Sequence, residues 1–125
     1  MITQALTALG ITEWVLRGTP TSEAEFLTMF SKVVGADDNG TAIESTDPAD
    51  WGFNVADVFA KAAELEAAEP LRLLRAERDR LIAETDKEVL PDRTPTQAML
   101  DYRQALRDIT NSYSSLEDVV WPVKP

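Results

Sequence analysis

Residues 71–86 read LRLLRAERDRLIAETD, and three short segments follow: PDRTPTQ (91–97), YRQALRDI (102–109) and WPVKP (121–125). The first segment predicts a helix, because its apolar side chains recur at helical spacing among charged residues. Its expected buried stripe holds Leu71, Leu74, Leu81 and Ile82. A second helix is expected to bury Met99, Tyr102, Leu106 and Ile109. Pro91 and Pro95 lie between the two helices and favour a short turn there. The sequence therefore predicts an antiparallel helical hairpin.

Local signals suggest where these two helices begin and end. Pro70 is expected in the first turn of the first helix, since proline disrupts a helix interior, and that helix is expected to reach about Val89. The segment Thr94-Pro95-Thr96-Gln97 has the capping-box form, with proline at the first helical position. Beyond residue 111 the helical period is lost. The residues before prolines favour extended backbone, which predicts an extended Trp-Pro tail.

The beginning of the chain combines short helical and extended segments. Residues 2–9 predict a helix with Thr3 as a candidate cap and Gly10 as its stop. Residues 11–17 (ITEWVLR) cluster Trp, Val and Leu, which predicts a short strand.

A second short helix is expected after the capping box of Ser22 and Glu25. Its predicted buried residues are Phe26, Met29, Phe30 and Val33. Gly35 is expected to end it.

The turn-forming sequence ADDNG (36–40) precedes TAIE (41–44), which predicts a second strand. Asn54 is a suitable cap for a further helix. The apolar face of that helix is expected to carry Val55, Val58, Phe59, Ala62 and Leu65. The fold class is therefore predicted to be α+β and mainly α, with a small strand-helix-strand unit followed by helices.

The predicted organisation has three parts within one compact domain. Residues 1–53 form a small α/β lobe, residues 54–111 form a helical lobe with the hairpin, and residues 112–125 form the extended tail.

Composition excludes several kinds of function. The chain has no Cys, which rules out disulfides and thiolate zinc sites. It also has no His, the commonest general base and metal ligand. No phosphate-binding Gly loop or nucleophile elbow is present. We expect a protein that is not an enzyme, with no catalytic residues, no metal and no cofactor.

The charge is acidic and uneven. The formal net charge is −10, and residues 1–69 contain 12 acidic and 3 basic residues against 10 and 9 in residues 70–125. We expect no nucleic-acid partner, because the phosphates of nucleic acid would meet carboxylates on this chain. No apolar run approaches the roughly 20 residues of a membrane span, and the start lacks a basic signal region. We expect a cytoplasmic protein that does not bind membranes.

The sequence ADDNG invites a calcium interpretation, but its spacing is wrong for an EF-hand. Placing Gly40 at the sixth loop position puts Gly35 first and Thr46 last, where acids are required. An Asp/Asn/Gly turn explains the segment better.

Arginines, aromatic residues and the tail are the candidate partner-binding residues, because Arg and Trp are enriched at binding hot spots. The candidates are Arg72, Arg75, Arg78, Tyr102, Arg103, Arg107, Trp121 and Pro122. The simpler interpretation of the arginines is a solvated face with ion pairs worth little each. Arg78 lies one turn from Leu74 and Leu81, so it is expected either to snorkel or to meet an acid across the hairpin. Trp121 is either a staple that holds the tail or an anchor for a partner.

The segments LRAERDRLIAETD (74–86), YRQALRDI (102–109) and the Trp-Pro tail resemble the phage tail assembly chaperone family over about the last 55 residues. Where many relatives carry Trp after ETD, this chain has Lys87 and Glu88. The segment EWVLRGTPTSEAEFLTMFSKVVGADDNG (13–40) is more loosely similar to proteins of marine cyanobacterial phages.

The resemblance implies a non-enzymatic chaperone of tail or tail-fibre assembly, which binds a tail protein in the host cytoplasm. One alternative is a permanent small structural protein of the virion. Another is an acidic phage inhibitor of a host protein. Self-association is compatible with each of them.

Overall fold

The computed structural model describes residues 1–125 and contains four α-helices and one three-stranded sheet. The elements are α1 (Ile2–Ala8), β1 (Trp14–Leu16), α2 (Glu23–Met29), β2 (Phe30–Ala36), β3 (Ala42–Ser45), α3 (Val55–Glu84) and α4 (Gln97–Arg107). Short 3₁₀ turns cover Pro48–Asp50, Asp86–Val89 and Ile109–Asn111. The predicted α+β, mainly α class is confirmed.

The chain divides into two compact units, Met1–Glu66 and Ala67–Pro125. The division falls within α3, whereas the sequence placed a lobe boundary between residues 53 and 54. The three-part organisation stays a prediction.

The first unit is built around an antiparallel sheet in the order β1-β2-β3. The predicted helix ending at Gly35 is wrong in its second half, because α2 ends at Met29 and Phe30 begins β2. Residues 30–36 pair with β1 on one side and with β3 on the other, including Leu16 with Phe30. Pairing on both edges outweighs the helical spacing of the apolar residues in this segment.

Aromatic rings fill the core of the first unit. Phe26 and Phe30 stack with ring centroids 4.8 Å apart, and Trp51 meets Phe30 edge to face at 4.7 Å. The Trp51 indole also donates a hydrogen bond to the carbonyl of Ser45 at the end of β3. The predicted face of α3 packs against this cluster, with Val58 and Ala62 buried.

A polar clamp joins the three strands of the sheet. Arg17, directly after β1, donates from both terminal nitrogens to the two carboxylate oxygens of Glu44 on β3, each at 2.9 Å. Ser31 on β2 is buried and donates to the same carboxylate. The hydrogen bonds from Arg17 and Ser31 lower the pKa of Glu44 to about 2.

The caps follow the sequence in part. Ser22 accepts from the Glu25 amide, as the capping box predicts, and Asn54 accepts from the Ala56 amide at the start of α3. Thr3 does not cap α1, because that helix begins after Met1 and has no side-chain cap. Gly10 follows the end of α1 with φ +73°, a left-handed conformation that suits glycine.

Pro70 does not begin a helix, contrary to the sequence prediction. It lies inside α3, which runs without a break from Val55 to Glu84. Proline lacks an N–H, so the carbonyl of Glu66, four residues earlier, has no helical donor at this point. The Ala-, Leu- and Glu-rich sequence on both sides favours helix strongly enough to continue through the proline.

In the second unit, α3 and α4 pack together through a small apolar core. The buried residues Met99, Tyr102 and Leu106 contact Leu81, Ile82 and Trp121. Leu74 and Ile109 of the expected apolar stripes are also buried, whereas Leu71 is only half-buried. However, α3 ends at Glu84 and not near Val89, and the α4 cap is Thr96, which accepts from the Met99 amide, and not Thr94.

Candidate partner-binding surface

Two of the four arginines on the second half of α3 are paired with acids one turn away. Arg72 bonds to Glu69, and Arg80 bonds to both Glu77 and Glu84. These hydrogen bonds lower the pKa of Glu69 and of Glu77. Such pairs on an exposed helix contribute little to stability, so this part of the surface is a network of satisfied charges.

Arg75 is exposed like Arg72 and Arg80, but unlike them it forms no ion pair. It lines a shallow depression of α3 together with Leu71, three alanines and the charged residues Arg72 and Asp79. Arg75 therefore keeps all its donors for solvent or for another molecule.

Of the two alternatives expected for Arg78, snorkelling or an acid across the helix pair, the structure does not show the second. Its side chain is 21% exposed and bonds to Asp79, the next residue on the same helix. The arginine that bridges the two helical segments is Arg103 instead.

The guanidinium of Arg103 is buried, with its side chain 7% exposed. One terminal nitrogen donates to the carbonyl of Ile82 at 3.0 Å and to the hydroxyl of Thr85 at 2.8 Å. The other donates to Asp86 at 3.1 Å, while Nε has no partner. Arg103 thus closes the C-terminal end of α3, whose last carbonyls lack helical partners.

Two neighbours of Arg103 on α4 lie in different environments. Tyr102 is buried in the apolar core. Arg107 is exposed and donates to the amide oxygen of Gln104 at 3.2 Å, without a carboxylate partner. Sequence periodicity located Tyr102 in the core, but it gave no signal that Arg103 rather than Arg78 would be the internal arginine.

In the tail, Trp121 packs against the core, while Val120 and Val123 are exposed. Trp121 is half-buried against the core of Met99, Tyr102 and Leu106, which is the contact expected of a staple. Pro122 is also half-buried, whereas Val123 is 91% exposed. The brief extended segment predicted at Val119 and Val120 forms no strand.

The ADDNG segment folds as a turn around its first aspartate. Asp37 accepts through Oδ1 from the amides of Asn39 and Thr41, each at 2.9 Å. No group of three or more acidic side chains is arranged to hold a metal ion. None of the helices has the length and apolar character needed to cross a membrane.

These features describe a small α+β protein whose second unit carries arginines on two helices and an anchored tail. Residues 71–125 match the family model described as phage tail assembly chaperone protein. The match confirms the resemblance of this segment and supports a general role in phage tail assembly. No curated protein and no solved structure matches the chain.

Proposed function

We propose that this chain is a chaperone of phage tail or tail-fibre assembly that binds a tail protein through its second unit. The supporting observation is that the matched segment, residues 71–125, nearly coincides with the compact unit Ala67–Pro125. That unit has its own apolar core and its own buried polar bridge. The family pattern thus covers a part of the chain that has its own core, as expected of a unit that binds a partner.

The proposed contact surface combines arginines of α3 and α4 with the tail. It includes Arg72, Arg75, Arg78, Arg107, Trp121 and Pro122. Among these, Arg75 and Arg107 have no carboxylate partner, so an acidic group on the client would gain a pair without breaking one. Tyr102 and Arg103 belong to the same set of candidates, and we assign them the role of holding the surface in shape.

The proposed mechanism is transient masking without catalysis. The second unit would cover apolar surface on a newly made tail protein in the host cytoplasm until that protein oligomerises. The first part of the chain would keep the complex soluble, because residues 1–69 carry a net charge of −9. Release would follow when the subunits of the tail bury the same surface.

The test uses purified tail and tail-fibre proteins of the phage, each expressed singly. The wild-type chain should bind one of them and suppress its aggregation in a light-scattering assay. Arg75→Ala should weaken binding by about tenfold, equivalent to about 1.4 kcal/mol. Arg80→Ala is the matched control, since it removes an arginine of the same helix that is already held by Glu77 and Glu84.

Purified virions separate this proposal from the alternatives. A chaperone should be absent from the particles, whereas a permanent virion component would be present in stoichiometric copies. An acidic inhibitor would bind a host protein and no tail protein. Equal losses for Arg75→Ala and Arg80→Ala would show that the contact depends on general charge and not on the unpaired arginine.

A further inference from the structure

Residues 119–125 (VVWPVKP) contact the second unit through some of their side chains and expose others to solvent. They form no helix or strand, and none of their backbone groups bonds to another backbone group. Trp121 packs on the core of the second unit, and the ammonium of Lys124 lies 3.9 Å from Glu84. Val120 and Val123 are 71% and 91% exposed.

The contacts of this segment repeat every three residues. Trp121 and Lys124 contact the body of the unit, Val119 and Pro122 are half-buried, and Val120 and Val123 are exposed to solvent. A period of three is the period of a polyproline II helix, in which every third side chain lies on the same ridge. Pro122 and Pro125 favour this conformation, because proline fixes φ near −65° and biases the preceding residue towards extended backbone.

We propose that residues 119–125 form a polyproline II ridge whose valines dock into an apolar, aromatic-lined groove on the tail protein. This inference rests on the proposed function and names the contact that the tail makes. A preformed polyproline II segment loses little entropy on binding, and aromatic grooves recognise such segments in other complexes. Trp121 therefore acts as a staple for the ridge, and Val120 and Val123 make the contact.

Charge sets the direction in which the ridge would lie in the groove. Glu117 and Asp118 are exposed just before the valines, and Lys124 is half-exposed just after them. The complementary groove should carry basic groups at the end that receives Glu117 and Asp118.

Addition of the tail as a β-strand fits these residues less well. In an extended strand, alternate N–H groups point to opposite edges. Pro122 removes a donor from one edge and Pro125 removes a donor from the other. Both edges would therefore be incomplete, whereas a polyproline II ridge needs no backbone ladder.

The test measures binding of the full chain to each purified tail and tail-fibre protein. Val120→Ser and Val123→Ser should each weaken binding at least about fivefold, equivalent to about 1 kcal/mol. Leu90→Ser is the matched control, because Leu90 is 49% exposed in the same unit but lies outside the tail. Melting midpoints should be unchanged in all three variants.

Pro122→Ala distinguishes the two backbone modes by the sign of its effect. It should weaken binding if the bound tail is a polyproline II ridge, because the free tail becomes less ordered. It should strengthen binding if the tail adds as a strand, because an N–H donor is restored. Affinity for the tail protein that is unchanged by both valine substitutions, or that increases with Pro122→Ala, would overturn this inference alone. Failure to bind any tail protein would overturn the proposed function as well.

Discussion

Leu106→Ala should destabilise the second unit strongly. Leu106 is fully buried and lies in the core with Met99 and Tyr102. The substitution removes three carbon groups, worth about 2.4 kcal/mol in transfer free energy at about 0.8 kcal/mol per group. The residual cavity raises the expected loss to about 3–4 kcal/mol, within the range known for buried Leu-to-Ala changes.

The assay is urea unfolding followed by the backbone amide signals of an NMR spectrum, which report each unit separately. Thermal melting should show a drop of roughly 12–16 °C, at about 4 °C per kcal/mol for a chain of this size. Leu100→Ala is the control on the same helix, since Leu100 is 41% exposed, and it should cost less than about 0.5 kcal/mol. Equal losses for the two variants, or an unchanged midpoint for Leu106→Ala, would refute the assignment of this core.

Three further predictions concern polar and backbone contacts. Arg103→Lys should lower the unfolding free energy by about 1–3 kcal/mol, because a lysine cannot supply the same forked hydrogen bonds. A urea titration in which the variant is as stable as wild type would contradict this prediction. Glu44→Gln should destabilise the sheet near neutral pH. The difference in unfolding free energy from wild type should shrink as pH falls from about 4.5 towards about 2, because the hydrogen bonds from Arg17 and Ser31 stabilise the fold only while Glu44 is ionised. A difference that does not vary with pH would exclude the clamp as its source. Gly18→Ala should cost about 1–3 kcal/mol, since φ is +134° and a Cβ would lie 2.8 Å from the Met29 sulfur, whereas Gly35→Ala meets open space and should be nearly neutral in thermal melting.

The sequence by itself determined the class of the fold and the buried faces of its main helices. Leu81, Leu106 and their neighbours could be assigned to a core because helical spacing places them on one side of each helix. The caps at Ser22 and Asn54 were also predictable, because a side chain that bonds to an amide two or three residues away depends only on local sequence. The segments that resemble the tail assembly chaperone family were equally readable, since the family match covers residues 71–125.

Only the tertiary structure decided which conformation a segment adopts when its local sequence is compatible with two. Phe30 could continue a helix or begin a strand, and the choice depends on pairing with Leu16, which is 14 residues away in the chain. Pro70 could begin a helix or lie within one, and the structure places it inside α3.

In the candidate site as well, some features could be predicted from sequence and others depended on the tertiary structure. Sequence identified the arginines, but it could not tell that Arg103 would be internal and Arg75 unpaired. Burial of Arg103 depends on the carbonyl of Ile82 and the hydroxyl of Thr85, which approach it only when the two helical segments pack together. Trp121 likewise became a staple because the apolar core of the second unit offered it a surface. Contacts between residues distant in the chain have no local signature, so the fold had to be known before these roles could be assigned.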